Sequence, residues 1–213
     1  FSAEISLFTA LRGGGITDMK KYSLMPIVAC AAAILGACIA AAENAQPDYS
    51  VIDRDKNKVA VASGKTAIEN AAYGFTMTVP IPCVEDRSGA ASLVSLSCGG
   101  DALLVSVYLD AMAPTVTGPG PARDSLVQQL SGSDSVKKIS EREFTGPGGP
   151  VIGLRYENAA PETTQVMEFY LAAFPKKNTL VTVSFVYDAG SDLATINRVI
   201  QDTVQSLMLS PLQ

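Results

Sequence analysis

The chain has 213 residues, 47% of them hydrophobic, a net charge of -5 and no histidine, with 17 Gly and 12 Pro scattered rather than periodic. That length and composition fit one folded domain with tails, and they exclude a disordered, collagen-like or low-complexity chain. Without histidine, no Ser-His-Asp or Cys-His pair can form and the commonest zinc ligand is missing; the negative charge argues against nucleic acid as a partner.

The amino-terminal region reads as a targeting signal. Met19-Lys20-Lys21 is followed by an uncharged stretch, residues 22–42, which contains Ile27, Val28 and Leu35 and ends in Ala40-Ala41-Ala42. A positive start, a short apolar core and a small-residue end make a secretory signal peptide over residues 19–42. An uncleaved membrane helix competes, since the stretch is just long enough to span a bilayer. Its second half is mostly alanine, only weakly apolar, so cleavage is preferred. Leu35-Gly36-Ala37-Cys38 resembles a bacterial lipobox, in which the cysteine is lipidated and becomes the first mature residue. Ordinary cleavage after Ala42 is the alternative. Ile27-Val28-Ala29-Cys30 also fits the lipobox pattern but leaves too short an apolar core. Cys38 is preferred because a polar stretch, residues 43–57, follows it as a tether. Both readings place the mature domain outside the cytoplasm of a bacterium, lipid-anchored on the periplasmic side of a membrane or free in the periplasm. Gly13-Gly14-Gly15 must be encoded by three GGN codons just ahead of Met19, like a ribosome-binding site read in frame. Residues 1–18 are therefore expected to be translated upstream DNA, with a genuine extension as the alternative.

Of the four cysteines, only Cys83 and Cys98 lie in the mature part. An even pair in an exported chain reads as one disulfide. Residues 58–213 read as a single domain. Val59–Ala62 is a possible short strand. In Tyr73–Val79, Phe75, Met77 and Val79 face one way and Thr76 and Thr78 the other, a half-buried strand that Pro80 and Pro82 end. Leu93–Cys98 and Leu103–Leu109 follow as strands. After a Pro- and Gly-punctuated loop, residues 113–121, a short helix spans Ala122–Leu130 with Leu126, Val127 and Leu130 on its apolar side. Val136–Phe144 is a strand, and residues 146–150 form a turn. Three strands come in series at Val151–Glu157, Thr164–Phe174 and Leu180–Tyr187, with a hairpin turn at residues 175–178. The last helix is expected from Ser191, its N-cap, to Leu209, with Leu193, Ile196, Ile200, Val204 and Leu207 on one face. Consecutive strands with short turns predict an antiparallel sheet in an α+β domain.

This order, with Tyr73-Gly74-Phe75-Thr76-Met77-Thr78-Val79-Pro80, Gly153-Leu154-Arg155-Tyr156, the paired strands Thr164–Tyr187 and the closing helix, resembles the PsbP-like family, and within it bacterial lipoproteins of the DcrB type. The resemblance covers roughly residues 68–210. In place of the tryptophan that often follows the first-strand proline, the chain reads Ile81-Pro82-Cys83. The resemblance implies an antiparallel sheet flanked by helices, an α/β/α sandwich, and a binding or scaffold role without catalytic residues.

Motifs with chemical potential are incomplete. Gly64-Lys65-Thr66 ends like a P-loop, but the required earlier glycine is Val59, so no nucleotide is expected. Asp53-Arg54-Asp55-Lys56-Asn57 copies the start of a calcium loop, but Lys58 stands where glycine is needed and Gly64 where glutamate is needed. Glu141 and Glu143 share one strand face with Arg142 opposite, a solvated face rather than a glycosidase pair. Tyr73, Tyr108, Tyr156, Tyr170 and Tyr187 are all expected on strands, as ordinary sheet packing. No catalytic residue, cofactor or metal is expected. The expected role is a non-enzymatic envelope protein that binds another, unidentified envelope protein; the alternative is a periplasmic carrier of a small apolar ligand held between sheet and helix. Replacing Cys38 by Ala should release the domain from the membrane and abolish fatty-acid labelling. Unlipidated wild-type protein beginning at Glu43 would refute the anchor.

Overall fold

A computed structural model describes residues 49, 53–87, 92–159 and 164–210. The expectations for the leader, the signal and Cys38 lie outside the described residues. Strands β1 (Asn57–Ala62), β2 (Lys65–Asn70), β3 (Phe75–Val79), β4 (Cys83–Glu85), β5 (Val94–Cys98) and β6 (Leu103–Ala111) come first. Helix α1 (Gly120–Ser131) follows, then β7 (Val136–Gly146), β8 (Gly149–Ala159), β9 (Thr164–Phe174), β10 (Thr179–Asp188), helix α2 (Leu193–Gln205) and β11 (Met208–Leu209).

The strands form two antiparallel sheets, where the sequence predicts one. The small sheet has the order β1-β2-β3-β11 and the large one β4-β5-β6-β10-β9-β8-β7. Three of the strands had no clear sequence signal: β2, where alternation is carried by Thr66, Ile68 and Asn70, the three-residue β4, and the two-residue β11. Ser63 and Gly64, both with positive φ, make the two-residue hairpin between β1 and β2. The P-loop-like Gly64-Lys65-Thr66 is thus a turn and the start of a strand. Thr66 is buried; its hydroxyl donates to Ile81 O and accepts from Cys83 N.

The two faces of the large sheet carry separate cores. On one, Val105, Val107, Val181, Val183, Phe185 and Tyr170 pack with Ile68, Phe75, Met77 and Val79 of the small sheet and with Ile196, Val199, Ile200 and Val204 of α2. On the other, Leu126 and Leu130 of α1 cover Ile152, Leu154, Tyr156, Met167, Phe169 and Leu171. Strands β9 and β10 are therefore buried on both sides, which is why their sequences are apolar without alternating polarity. The α+β class and the helix on each face agree with the expectation; the small sheet shares one face with α2.

Local details differ from the sequence reading at the last helix. Asp192, not Ser191, is its N-cap, with its carboxylate accepting from Ala194 N and Thr195 N. The Thr195 hydroxyl, which donates to Asp192 Oδ2, does most to hold the carboxyl below its usual value, and the two backbone donors add to it. The helix ends at Gln205 rather than Leu209, and Leu193 is exposed while Val199 is buried. The Ser206 hydroxyl accepts from Thr78 N, and β11 then pairs with β3. Ser210 N donates to Gly74 O, and Gly74 has φ +63° with a Cβ position only 2.4 Å from Ser210 O, so glycine is required there.

The end of the stretch read as a tether packs against the domain. Arg54–Lys56 is a 3-10 turn, Asn57 donates to Leu93 O, and buried Asn70 donates to both Asp53 O and Asn57 Oδ1. Outer strand β7 is mostly exposed and carries a bulge between Lys138 and Ser140. Outer strand β1 leaves Ala60, Val61 and Ala62 exposed.

Cys83 and Cys98 sit directly opposite each other on β4 and β5 and form the expected disulfide, with Cα atoms 4.1 Å apart. The bond closes a loop with a sequence separation of 15. Replacing both cysteines by Ala should lower unfolding free energy by about 3 kcal/mol in the chain-entropy picture. Urea denaturation under oxidising conditions measures it, and an unchanged midpoint would refute the estimate.

Candidate functional site

Glu168 interrupts the otherwise apolar strand β9, and it is only 4% exposed. A carboxylate so placed needs donors, and the neighbouring strands supply them. Tyr170, two residues along the same strand, donates its hydroxyl to Glu168 Oε2 at 2.7 Å. Tyr187 of β10 donates to Oε1 at 2.6 Å. Arg155 on β8 lies directly opposite Glu168, with Nε 3.8 Å from Oε1. Arg142 on β7 brings Nη2 within 3.9 Å of Oε2, hydrogen-bonds the Tyr170 hydroxyl and stacks over the Tyr170 ring at 5.1 Å from its centroid. Gly153 makes room for this stack: a Cβ there would lie 2.9 Å from Tyr170 Cε1 and 3.2 Å from Arg142 Cγ. Burial pushes the Tyr187 hydroxyl pKa well up, and the Glu168 carboxylate pushes it further. Tyr187 therefore stays protonated as a donor across physiological pH. The arrangement runs outward from a buried carboxylate to Arg142, whose side chain is 54% exposed.

The opposite face holds a second polar group. Arg54 Nη2 donates to Ser92 Oγ, Ser92 and Ser95 share a hydrogen bond of 2.8 Å, and Ser95 and Ser106 one of 3.2 Å. The Tyr108 hydroxyl bonds Ser106 and Ser184, and burial raises its pKa to about 12. Two residues further along β6, burial pushes the Asp110 carboxyl up to about 7, and its Oδ2 is buried without a hydrogen-bond partner.

The sequence-selected residues divide between these groups and purely structural positions. Glu141 and Glu143 do share a face, with Arg142 opposite. Glu141 is held by Lys138 and by Arg123 of α1, which keep its carboxyl below the usual range, the reverse of a general acid. Tyr73 lies in the turn before β3, not on a strand; its hydroxyl accepts from Asp53 N. Tyr108, Tyr156, Tyr170 and Tyr187 are on strands as expected. Among the described residues, no group of three or more Cys, Asp or Glu is placed to hold a metal, and no helix is long and apolar enough to cross a membrane. An open depression of about 340 Å³ lies between Lys65, Thr78 and Pro80 and the end of α2 at Asp202, Gln205 and Ser206. Glu168 and Asp110 belong to no chemical motif in the sequence, although each is a lone acid in a mainly apolar strand, a pattern that signals a buried carboxyl group.

No protein-family model matches the chain, and no curated protein matches it. Several solved structures are similar in shape. Cyanobacterial PsbP (CyanoP) from Synechocystis sp. PCC 6803 is 10% identical, with 73% of this chain and 93% of that one covered and a TM-score of 0.44. The Ran-binding protein Mog1p of Saccharomyces cerevisiae is 13% identical over 72% of this chain and 95% of its own, with a TM-score of 0.39. PA94 from Pseudomonas aeruginosa, a protein of unknown function, is 10% identical over 73% of this chain and 98% of its own, with a TM-score of 0.37.

Removing one donor from a buried carboxylate leaves charge uncompensated. Tyr187→Phe should therefore destabilise the fold by about 1.5–3 kcal/mol, the range for a hydrogen bond to a charged group. Chemical denaturation checks this, and a neutral effect would show that Glu168 does not depend on Tyr187.

Proposed function

We propose that this chain is an exported, lipid-anchored envelope protein that binds another protein or serves as a scaffold, without catalysis. The observation that carries the reading is the packed interior of the junction between α2 and the sheets: Ile196, Val199, Ile200, Thr203 and Val204 are all buried against Phe75, Met77, Val79 and the apolar face of β10, and the depression at Lys65, Thr78 and Gln205 lies at the rim of this junction, open to solvent. A carrier of an apolar ligand needs open volume at that junction. The acids support the same reading. Glu168 is occupied by two tyrosines and flanked by two arginines, and Glu141 is paired with Lys138 and Arg123. Hydrolysis by carboxylates needs two acids converging on a substrate with separated pKa values. The lipobox-like Leu35-Gly36-Ala37-Cys38 and the Cys83–Cys98 disulfide support export. The PsbP-like and DcrB-type assignment rests on the sequence motifs around Phe75, Gly153 and the closing helix.

Rigid sheets with exposed loops suit surface recognition, and the loops before and after α1 and between β7 and β8 offer variable contacts. Crosslinking in intact cells, followed by identification of the captured protein, should return one dominant envelope protein that depends on the folded domain. Recovery of a small apolar molecule with the purified domain, and no protein partner, would favour the carrier instead.

A further inference from the structure

We propose that one end of the domain is a membrane-facing surface, at which Lys176 and Lys177 meet the headgroups of anionic phospholipid. The inference rests on the lipid anchor proposed above and adds which way the anchored domain points. The described connections divide between the two ends of the sheets. At one end lie residues 71–74, 112–119, 147–148 and 175–178. Contacts gather them: Met112 N donates to Asn178 O, Lys177 Nζ to Ser210 O, and Ser210 N to Gly74 O. Gly149 lies against Pro175, where a Cβ would stand 3.8 Å from Pro175 Cδ. At the other end lie residues 63–64, 80–82, 99–102, 132–135 and 188–192, with Gly99 N donating to Pro82 O. The two sets differ in charge. The first contains Lys176 and Lys177 and no acid; the second contains Asp101, Asp134, Asp188 and Asp192 and no Lys or Arg.

Charges beside the lysine end cancel. Asp53 and Asp55 stand with Arg54 and Lys56 in the turn before β1, and Arg123 pairs with Asp124 at the start of α1. Strand β5 begins level with Val107, short of this end, and Asp86 and Arg87 in the connection before it carry opposite charges. The chain coming from Cys38 is fastened at this same end. The Tyr49 hydroxyl bonds Thr179, just after the Lys176-Lys177 turn, and the Tyr49 ring packs on Tyr73 with centroids 5.5 Å apart. From Cys38 to Tyr49 the chain reaches at most about 40 Å when fully extended. Strand β9, with 11 residues, covers about 35 Å between the two ends. Turning the acidic end to the membrane would therefore stretch nearly the whole tether along the domain. Anionic headgroups oppose that turn as well, since they repel the four aspartates and favour each lysine by about fivefold in partitioning. Lys176 is exposed, and its bond to Ser210 O holds Lys177 at this end. The loop after α1, residues 132–135, then points away from the membrane, where a protein partner reaches it.

The test uses the full-length protein purified from membranes and placed in phosphatidylcholine vesicles with or without phosphatidylglycerol. Cys83 and Cys98 are in their disulfide, so a fluorescent label goes to a cysteine introduced by Thr115→Cys or, separately, by Ser135→Cys. Both positions are exposed, one at each end. Lipids carrying a nitroxide on the headgroup quench a label held at the membrane surface. With phosphatidylglycerol present, the label of Thr115→Cys should be quenched and that of Ser135→Cys should not. Lys176→Gln combined with Lys177→Gln should abolish the difference, as should omission of phosphatidylglycerol, while the protein still floats with the vesicles. Lys176→Gln alone, which keeps the Lys177–Ser210 bond, should cause a partial loss. Equal quenching at both ends, stronger quenching at Ser135→Cys, or a difference indifferent to the lysines would overturn the membrane-facing surface and leave the anchor standing. Protein that carries no fatty acid and does not float would overturn the anchor and this surface with it.

Discussion

Burial of β9 and β10 on both faces is the constraint from which the rest of the structure follows. Their residues from Val166 to Phe174 and from Thr179 to Tyr187 are almost all shielded from water. A sheet buried on one side needs one cover; these strands need two. The chain provides α1 on one side, and α2 with the small sheet on the other. Each cover also has to be fastened. The Ser206 hydroxyl, the Asp192 cap and the β11–β3 pairing fix α2 against β3. The Asn70 amide fixes the segment from Asp53 to Asn57 across the start of the small sheet.

The same constraint makes polar residues in these strands costly unless partnered. Glu168 is accommodated because tyrosine donors reach both its oxygens and two arginines approach from the outer strands. Ser106 and Tyr108 are accommodated by the hydroxyl chain that ends at Arg54. On the same side, Asp110, Tyr156 and Thr182 each keep a buried oxygen outside that chain. The two faces thus handle polarity differently: one surrounds a single buried carboxylate with donors from four strands, and the other spreads its polar groups along a chain of hydroxyls.

Much of this architecture was legible in the sequence wherever periodicity was strong. The alternation of Phe75, Met77 and Val79, the run Leu103 to Leu109 and the spacing of Ile196, Ile200 and Val204 report faces that are indeed buried. The second sheet was not legible. In β2 the buried positions are Thr66, Ile68 and Asn70 rather than an apolar alternation, and β11 is only two residues long and owes its conformation to pairing with β3, far away in sequence. Tyr73 suits a strand by propensity, yet the close approach of Ser210 to Gly74 demands a turn there. The disulfide followed from cysteine arithmetic, because Cys83 and Cys98 are the two cysteines that lie outside the segment read as a signal. Glu168 was visible as an acid among apolar residues, but its partners come from β7, β8 and β10, and only folding brings those together.

The outer strands set how this molecule behaves in a crowded compartment. An open sheet can grow by recruiting strands from other chains. At one end of the large sheet, the bulge and the charges of Lys137, Lys138, Glu141, Arg142 and Glu143 make β7 a poor template, and at the other β4 is only three residues long. Strand β1 is guarded only by Lys58 at its start: from Val59 to Ala62 it carries no charge, and its last three residues are exposed. Among the described strands, the second half of β1 is thus the edge with the fewest features that discourage a further strand, and a charge at Ala60 would give it the protection that β7 already has.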